Sequence, residues 1–142
     1  LPYLFYFLFF PLSIIILYNT KFVVEFLIVL TIGNLINSIF WYVFPNGVKR
    51  PKIVPKIFFD KLVFNLYKRD KYDTNGFPSA HVFHTLIGSV YLSIAFPKFS
   101  FISYIIGFLI IISTVFVKQH YIIDIFGGVI SFIISYLIGK VF

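Results

Sequence analysis

The sequence predicts an all-α protein, a polytopic bundle of transmembrane helices, and three observations predict it. Of its 142 residues 60% are apolar and 23% aromatic, against only 12% charged, and the mean hydropathy is +0.98. A water-soluble domain of this length is not so apolar. The apolar residues fall in runs of about 20, the length a bilayer core asks of a helix, and not in one-sided stripes or strict alternation. Finally, only one stretch, residues 45–78, is both long and polar.

Five spans follow in order, at residues 2–18, 22–44, 79–96, 99–117 and 121–138. Pro11 is expected to kink the first, because a proline inside a helix removes a hydrogen bond and crowds the preceding turn. The connections at 19–21 and 97–98 are so short that the helices they join must be antiparallel neighbours. A single membrane-embedded domain over 1–142, with an interfacial segment at about 46–78, accounts for the whole chain. That segment holds eight of the twelve basic residues: Lys49, Arg50, Lys52, Lys56, Lys61, Lys68, Arg69 and Lys71. Within it, Phe58, Phe59, Leu62, Val63 and Leu66 recur at helical spacing against Asp60, Lys61 and Asn65. This is an amphipathic helix over 56–67, lying in the interface or packed on the bundle.

Composition also excludes several chemistries. Without cysteine there is neither a disulfide framework nor a thiolate site, and His81, His84 and His120 are too dispersed for a zinc cluster. No cofactor or metal is expected, and the partners expected are the bilayer and a small-molecule substrate, not nucleic acid. The chain opens on Leu1, with no initiating Met, charged n-region or cleavage site, and reads as trimmed or partial.

Parity then gathers the polar residues. The third span leaves the side of the long polar segment and the fourth returns to it, so Lys118, Gln119, His120 and Asp124 come back to the face that carries Arg50 and His81. His120 and Asp124 stand at i and i+4 on one helix face. A carboxylate so placed can hold one imidazole nitrogen, fix the tautomer and stabilise the imidazolium as the other nitrogen attacks. An ionisable group within a span costs roughly 2.5 to 3.5 kcal/mol, which favours a functional reading over a polar pair that merely staples the helix end.

The third span begins Asn75-Gly76-Phe77-Pro78-Ser79-Ala80-His81. Pro78 and Ser79 mark a helix start, where unpaired N–H groups and the positive end of the helix dipole await an anion. His81 lies in the first turn, within reach of a bound phosphate as a general acid; taken alone, a serine cap beside a histidine is more often structural. After the second span, Lys49 and Arg50 put adjacent cations at the same face, and the Arg fork suits a phosphate bidentately. The other cations of the segment read as snorkelling or lipid-headgroup contacts. His84 reads as a packed core histidine, and Glu25, Asn34 and Asn37 as interhelical hydrogen-bonding groups.

Taken together, Arg50-Pro51, Pro78-Ser79-Ala80-His81 and Ser113 through His120 to Asp124 resemble the three ordered motifs of the type 2 phosphatidic acid phosphatase superfamily. The wording is similar to a branch with Phe-Pro before Arg-Pro and Lys-Gln-His-Tyr in the third motif. That branch includes bacterial membrane phosphatases and is similar to inositol phosphorylceramide synthases. The resemblance implies a bundle of usually six helices, here lacking its first, and no metal. It implies that His120 becomes a phosphohistidine, that His81 protonates the leaving group and that Asp124 supports His120. Arg50, Ser79 and the Ala80 N–H would bind phosphate oxygens. Two cations usual in the family are absent: Val43 stands seven positions before Arg50, and Thr114 six before His120. Lys118 and Lys49 are expected to supply the missing charge.

The function so implied is hydrolysis of a lipid phosphate monoester or diphosphate. A phosphotransferase with a hydroxyl acceptor is the nearest alternative, and a non-enzymatic lipid-binding or transport protein the more distant one. The resemblance implies an extracytoplasmic or lumenal site, whereas the positive-inside rule would put this basic face in the cytoplasm.

Overall fold

The computed structural model describes residues 2–69 and 74–142; Leu1 and Lys71 lie outside them. The described residues form six α-helices: α1 (Pro2–Leu17), α2 (Val23–Val43), α3 (Phe58–Arg69), α4 (Ala80–Ala95), α5 (Ser100–Phe116) and α6 (Ile122–Gly139), with a 3-10 turn at Pro97–Phe99 leading into α5. Among the described residues the only β pairing is an isolated bridge between Gly47 and Thr74. The five expected spans correspond to α1, α2, α4, α5 and α6. Among the described residues three segments are long and apolar enough to cross a membrane: α2, the 3-10 turn with α5, and α6. α1 and α4 have 16 residues each, about 24 Å of helix against a hydrocarbon core of about 30 Å. α1 runs through Pro11 as one helix.

α4 is the centre of the bundle and packs on α1, α2, α5 and α6. Its sequence explains that place, because Thr85, Gly88, Ser89 and Ser93 give it a surface of small side chains, all buried. Water does not squeeze helices together inside a bilayer, so close backbone approach and polar contacts must hold them. Both are present: Ser89 Oγ donates to Ser103 O across α4 and α5 at 3.3 Å, and Ser103 Oγ returns a bond to Ser89 O at 3.2 Å. The larger side chains Leu17, Phe26, Val29, Phe83, Ile87 and Tyr91 fill one apolar core. Phe101, Phe108, Phe126 and Ile130 point outward instead, as lipid-facing residues must.

The polar residues within the spans behave largely as expected. Tyr91 donates to Glu25 at 2.7 Å and Lys140 reaches the same carboxylate at 2.6 Å, closing the ends of α2, α4 and α6 together. Asn34 bonds His84 Nε2 at 2.8 Å. Asn37 differs, since its amide is fully buried without a protein hydrogen bond. α3 begins two residues later than its apolar spacing suggests, at a turn where Asp60 accepts from Lys56 N and Ile57 N at 3.1 and 3.2 Å. It combines the two placements left open for it. Phe58 and Phe59 are exposed, Leu66 is buried, and Tyr67 donates to Val117 O at 2.9 Å, pinning the helix to the end of α5.

Candidate active site

Two loops and two helix starts build the site. The first loop, after α2, is tied to the chain before α4 by Asn46: its Nδ2 donates to Phe77 O at 3.1 Å and its Oδ1 accepts from Phe77 N at 2.7 Å. Trp41 Nε1 adds a bond to Pro78 O at 3.2 Å. The Phe77–Pro78 peptide is cis, and Asn75 takes the left-handed conformation that its short polar side chain tolerates. Ser79 caps α4, accepting from Val82 N at 3.3 Å, and Ser79 N donates to Asp124 O at 3.1 Å. The starts of α4 and α6 are therefore bonded to each other.

His120 arrives from the other direction. α5 ends in a turn where Thr114 O accepts from Gln119 N at 2.9 Å and from His120 N at 3.3 Å, with Lys118 in the left-handed conformation. This is a helix C-terminus closed by a left-handed residue that bends the chain back on itself, and it delivers His120 beside α4.

The contacts of the two imidazoles order their nitrogens. His120 Nδ1 lies 3.0 Å from Gly76 O and 3.5 Å from Asp124 Oδ2. A carbonyl only accepts, so Nδ1 carries the proton and the Nε2 lone pair is left for the opposite side. That Nε2 stands 3.0 Å from His81 Nδ1, and His81 Nε2 stands 2.9 Å from the Tyr3 hydroxyl. Asp124 Oδ2 also accepts from Tyr121 N at 2.8 Å. The carboxylate expected to hold His120 therefore shares that duty with the Gly76 carbonyl, which is the nearer acceptor and has no side chain by which a sequence could announce it.

Arg50 stands across the cavity. Its Nη2 donates to Gln119 Oε1 at 2.9 Å, and its guanidinium lies 5.1 Å from the centre of the Tyr67 ring. Burial pushes the Tyr67 hydroxyl up from its ordinary pKa, with the Arg50 charge opposing. Neither Gln119 nor Tyr67 was expected to hold Arg50, although Gln119 sits next to His120 in the third motif.

These groups open on a cavity of about 760 Å³ whose lining includes Arg50, Arg69, Ala80, His81, Gln119 and His120. Ser79, expected to bind phosphate, is fully buried and is not part of that lining. Lys118 and Lys49 are exposed and stand outside the lining, whereas Arg69, assigned to lipid contacts by its position alone, is part of it. Lys49 is held through its backbone N–H, which donates to the Tyr121 hydroxyl at 3.1 Å. Among the described residues no three His, Cys, Asp or Glu side chains are grouped to hold a metal ion.

α6 approaches α4 closely at Gly128. A Cβ there would lie 2.7 Å from Ser79 O and 2.8 Å from Val82 Cβ, both on or next to backbone that cannot yield cheaply. Gly128→Ala is expected to destabilise the bundle by about 1 to 3 kcal/mol, read as an earlier transition in detergent denaturation. An unchanged transition would mean the helices have room that this geometry denies them.

Comparison with known proteins gives one match. A family model described as the PAP2 superfamily matches residues 22–142, which include α2 to α6 and every residue of the site except those of α1. No curated protein and no solved structure matches the chain.

Proposed function

The chain belongs to the PAP2 superfamily, and on that premise we propose that it is an integral-membrane phosphatase that hydrolyses a lipid phosphate monoester or diphosphate through a phosphohistidine at His120. The observation that carries this reading is the order of nitrogens: His120 Nδ1 bonded to Gly76 O at 3.0 Å and His120 Nε2 directed at His81 Nδ1, also at 3.0 Å. The first nitrogen keeps the proton, the second has the lone pair, and a histidine able to carry a proton faces it.

Substrate entry opens the 3.0 Å contact between His120 Nε2 and His81 Nδ1, and the phosphoryl group then stands between the two nitrogens. His120 Nε2 attacks it, the bond to the leaving oxygen breaks, and that oxygen takes the proton from His81 Nδ1. Water then attacks the phosphohistidine, giving its proton to His81 as inorganic phosphate departs. Positive charge grows on the His120 ring as Nε2 bonds to phosphorus, and Asp124 stands against that ring to stabilise it. Arg50 and the Ala80 N–H meet the phosphate oxygens. The Ser79 hydroxyl caps α4 by accepting from Val82 N, which holds the Ala80 N–H at the cavity wall.

Two features support a lipid substrate. The residues Tyr3, Leu4, Leu62 and Leu66 line the cavity and also an apolar groove of about 340 Å³ between α1, α3 and α5. A phosphate beside His120 can therefore keep an apolar chain in that groove, at the flank of the bundle. The motif wording Phe44-Pro45, Arg50-Pro51 and Lys118-Gln119-His120-Tyr121 supports the branch of bacterial membrane phosphatases. The test is release of inorganic phosphate from phosphatidic acid by the detergent-solubilised protein, with chelator present and no acceptor added. Phosphate transfer that appears only with an added hydroxyl lipid would establish the transferase alternative instead.

The charge missing at Val43 and Thr114 is the point where Arg69 and Lys118 compete. Arg69 lines the cavity and Lys118 does not, so Arg69→Ala is expected to lower kcat/KM about tenfold or more and Lys118→Ala less than about threefold. A larger loss from Lys118→Ala would restore the lysine to the phosphate cradle.

For sidedness we place the site outside the cytoplasm or in a lumen, because cations recruited to phosphate inflate the positive-inside count. Lys52 is exposed, while Asn46 ties two loops together, so Lys52→Cys is the better reporter. Labelling by an impermeant thiol reagent on intact cells is expected, and labelling only after lysis would reverse the orientation.

A further inference from the structure

We propose that Tyr3 is the positioning residue of the general acid, its hydroxyl holding His81 so that Nδ1 alone faces the reacting phosphorus. The inference rests on the phosphohistidine reading above and goes beyond the family match, which begins after α1. The Tyr3 hydroxyl is 2.9 Å from His81 Nε2, and the two rings are tilted at 40° with centroids 5.3 Å apart. Tyr3 is only 4% exposed and is part of the cavity wall. One chain of polar groups thus runs from Tyr3 through His81 and His120 to the carbonyl of Gly76.

The chemistry asks for an acceptor in that place. His81 must pass between imidazolium and neutral imidazole during turnover, and the Tyr3 oxygen accepts from Nε2–H in both states, so that the proton exchanged is always the one on Nδ1. The proton ledger then closes within His81. As His120 Nε2 bonds to phosphorus and the P–O bond breaks, the Nδ1–H bond breaks and the leaving oxygen gains the proton. His81 is left neutral, with Nε2–H donated to Tyr3 Oη and the Nδ1 lone pair facing the phosphohistidine. In the second step Nδ1 takes a proton from the attacking water as the N–P bond breaks. Tyr3 neither gains nor loses a proton over the cycle.

A second pair one turn further along both helices serves as the internal comparison. Tyr6 bonds His84 Nδ1 at 2.8 Å and Asn34 bonds His84 Nε2 at 2.8 Å. Tyrosines three apart on α1 therefore meet histidines three apart on α4, the spacing at which helical side chains share a face. Both ring nitrogens of His84 are engaged within the bundle, whereas His81 keeps one for the reaction centre. The Tyr6–His84 pair docks α1 on α4; the Tyr3–His81 pair also orients a reacting group.

The test compares Tyr3→Phe with Tyr6→Phe, each of which keeps the ring and removes the hydroxyl. Two substrates are used: an alkyl phosphate, whose alkoxide needs a proton to leave, and p-nitrophenyl phosphate, whose phenolate does not. The measured quantity is kcat/KM, which reports the steps up to phosphohistidine formation. Tyr3→Phe is expected to lower it about tenfold to a hundredfold for the alkyl ester and less than about threefold for the aryl ester. Tyr6→Phe is expected to lower both by one common factor. The ratio between the esters is unaffected by partial unfolding, which scales both rates alike. Equal losses on the two esters from Tyr3→Phe, or the same selective loss from Tyr6→Phe, would overturn the inference and leave the tyrosines as packing groups. A wild-type protein inert toward both esters would instead overturn the phosphatase reading, and the inference with it.

Discussion

His120→Gln is expected to remove phosphatase activity by a factor of about 10⁴ or more, the largest effect of any single change in this protein. Glutamine is close in reach to histidine and its amide can still donate to Gly76 O, so the turn after α5 and the cavity should persist. What it cannot supply is a nitrogen lone pair facing His81, and without one no covalent phosphoenzyme forms. The measurement is quenching in alkaline denaturant with radiolabelled phosphate ester, followed by brief acid treatment of a second aliquot. Wild-type protein should trap an acid-labile, base-stable phosphoryl group, and His120→Gln should trap none. Retained turnover would place the nucleophile on another residue and remove the basis for assigning His81 and Tyr3 their parts. The substitution is informative because the ring is held on both sides, with Gly76 O at Nδ1 and His81 at Nε2, so loss of activity reports chemistry and not a displaced loop.

The meeting of His81 with His120 was legible because it follows from topology. Two spans between them, joined at residues 97–98, must return the chain to the starting side, and helices of bilayer length leave little freedom in where it emerges. The contact of Tyr3 with His81 was not legible for the opposite reason. α1 is apolar all round, without a polar stripe to orient it, so its rotation is fixed by packing on α4 and not by its own periodicity. The spacing of Tyr3 and Tyr6 against that of His81 and His84 was the one available signal, and it gains meaning only once α1 and α4 are known to touch. Lys118 illustrates another limit. Its place two residues before His120 made it the natural replacement for a missing cation. The backbone there turns left-handed to end α5, which leaves Lys118 exposed and outside the cavity. Arg69 reaches the cavity because α3, whose apolar spacing said only that it would lie on some surface, is pinned beside the site by Tyr67.

His81→Asn is expected to separate the two halves of the reaction. For an alkyl phosphate the loss of the proton donor should slow phosphohistidine formation about 10² to 10⁴-fold, the usual contribution of a general acid. For p-nitrophenyl phosphate the leaving group needs no proton, so His120 can still be phosphorylated at a substantial rate. Hydrolysis of the phosphohistidine then lacks its base, because no other imidazole faces His120: His84 is bonded to Tyr6 and Asn34 on the far side of His81. Formation should outrun breakdown, and rapid mixing should reveal a burst of nitrophenolate near one equivalent of enzyme, followed by slow turnover. In wild-type protein the burst should be small or absent. A variant slowed on both esters without a burst would mean that His81 acts only by holding the cavity in shape. The burst also bears on Tyr3, since Tyr3→Phe weakens the same donor without removing it, and should show the leaving-group preference of His81→Asn in milder form while keeping hydrolysis of the phosphohistidine faster than His81→Asn allows.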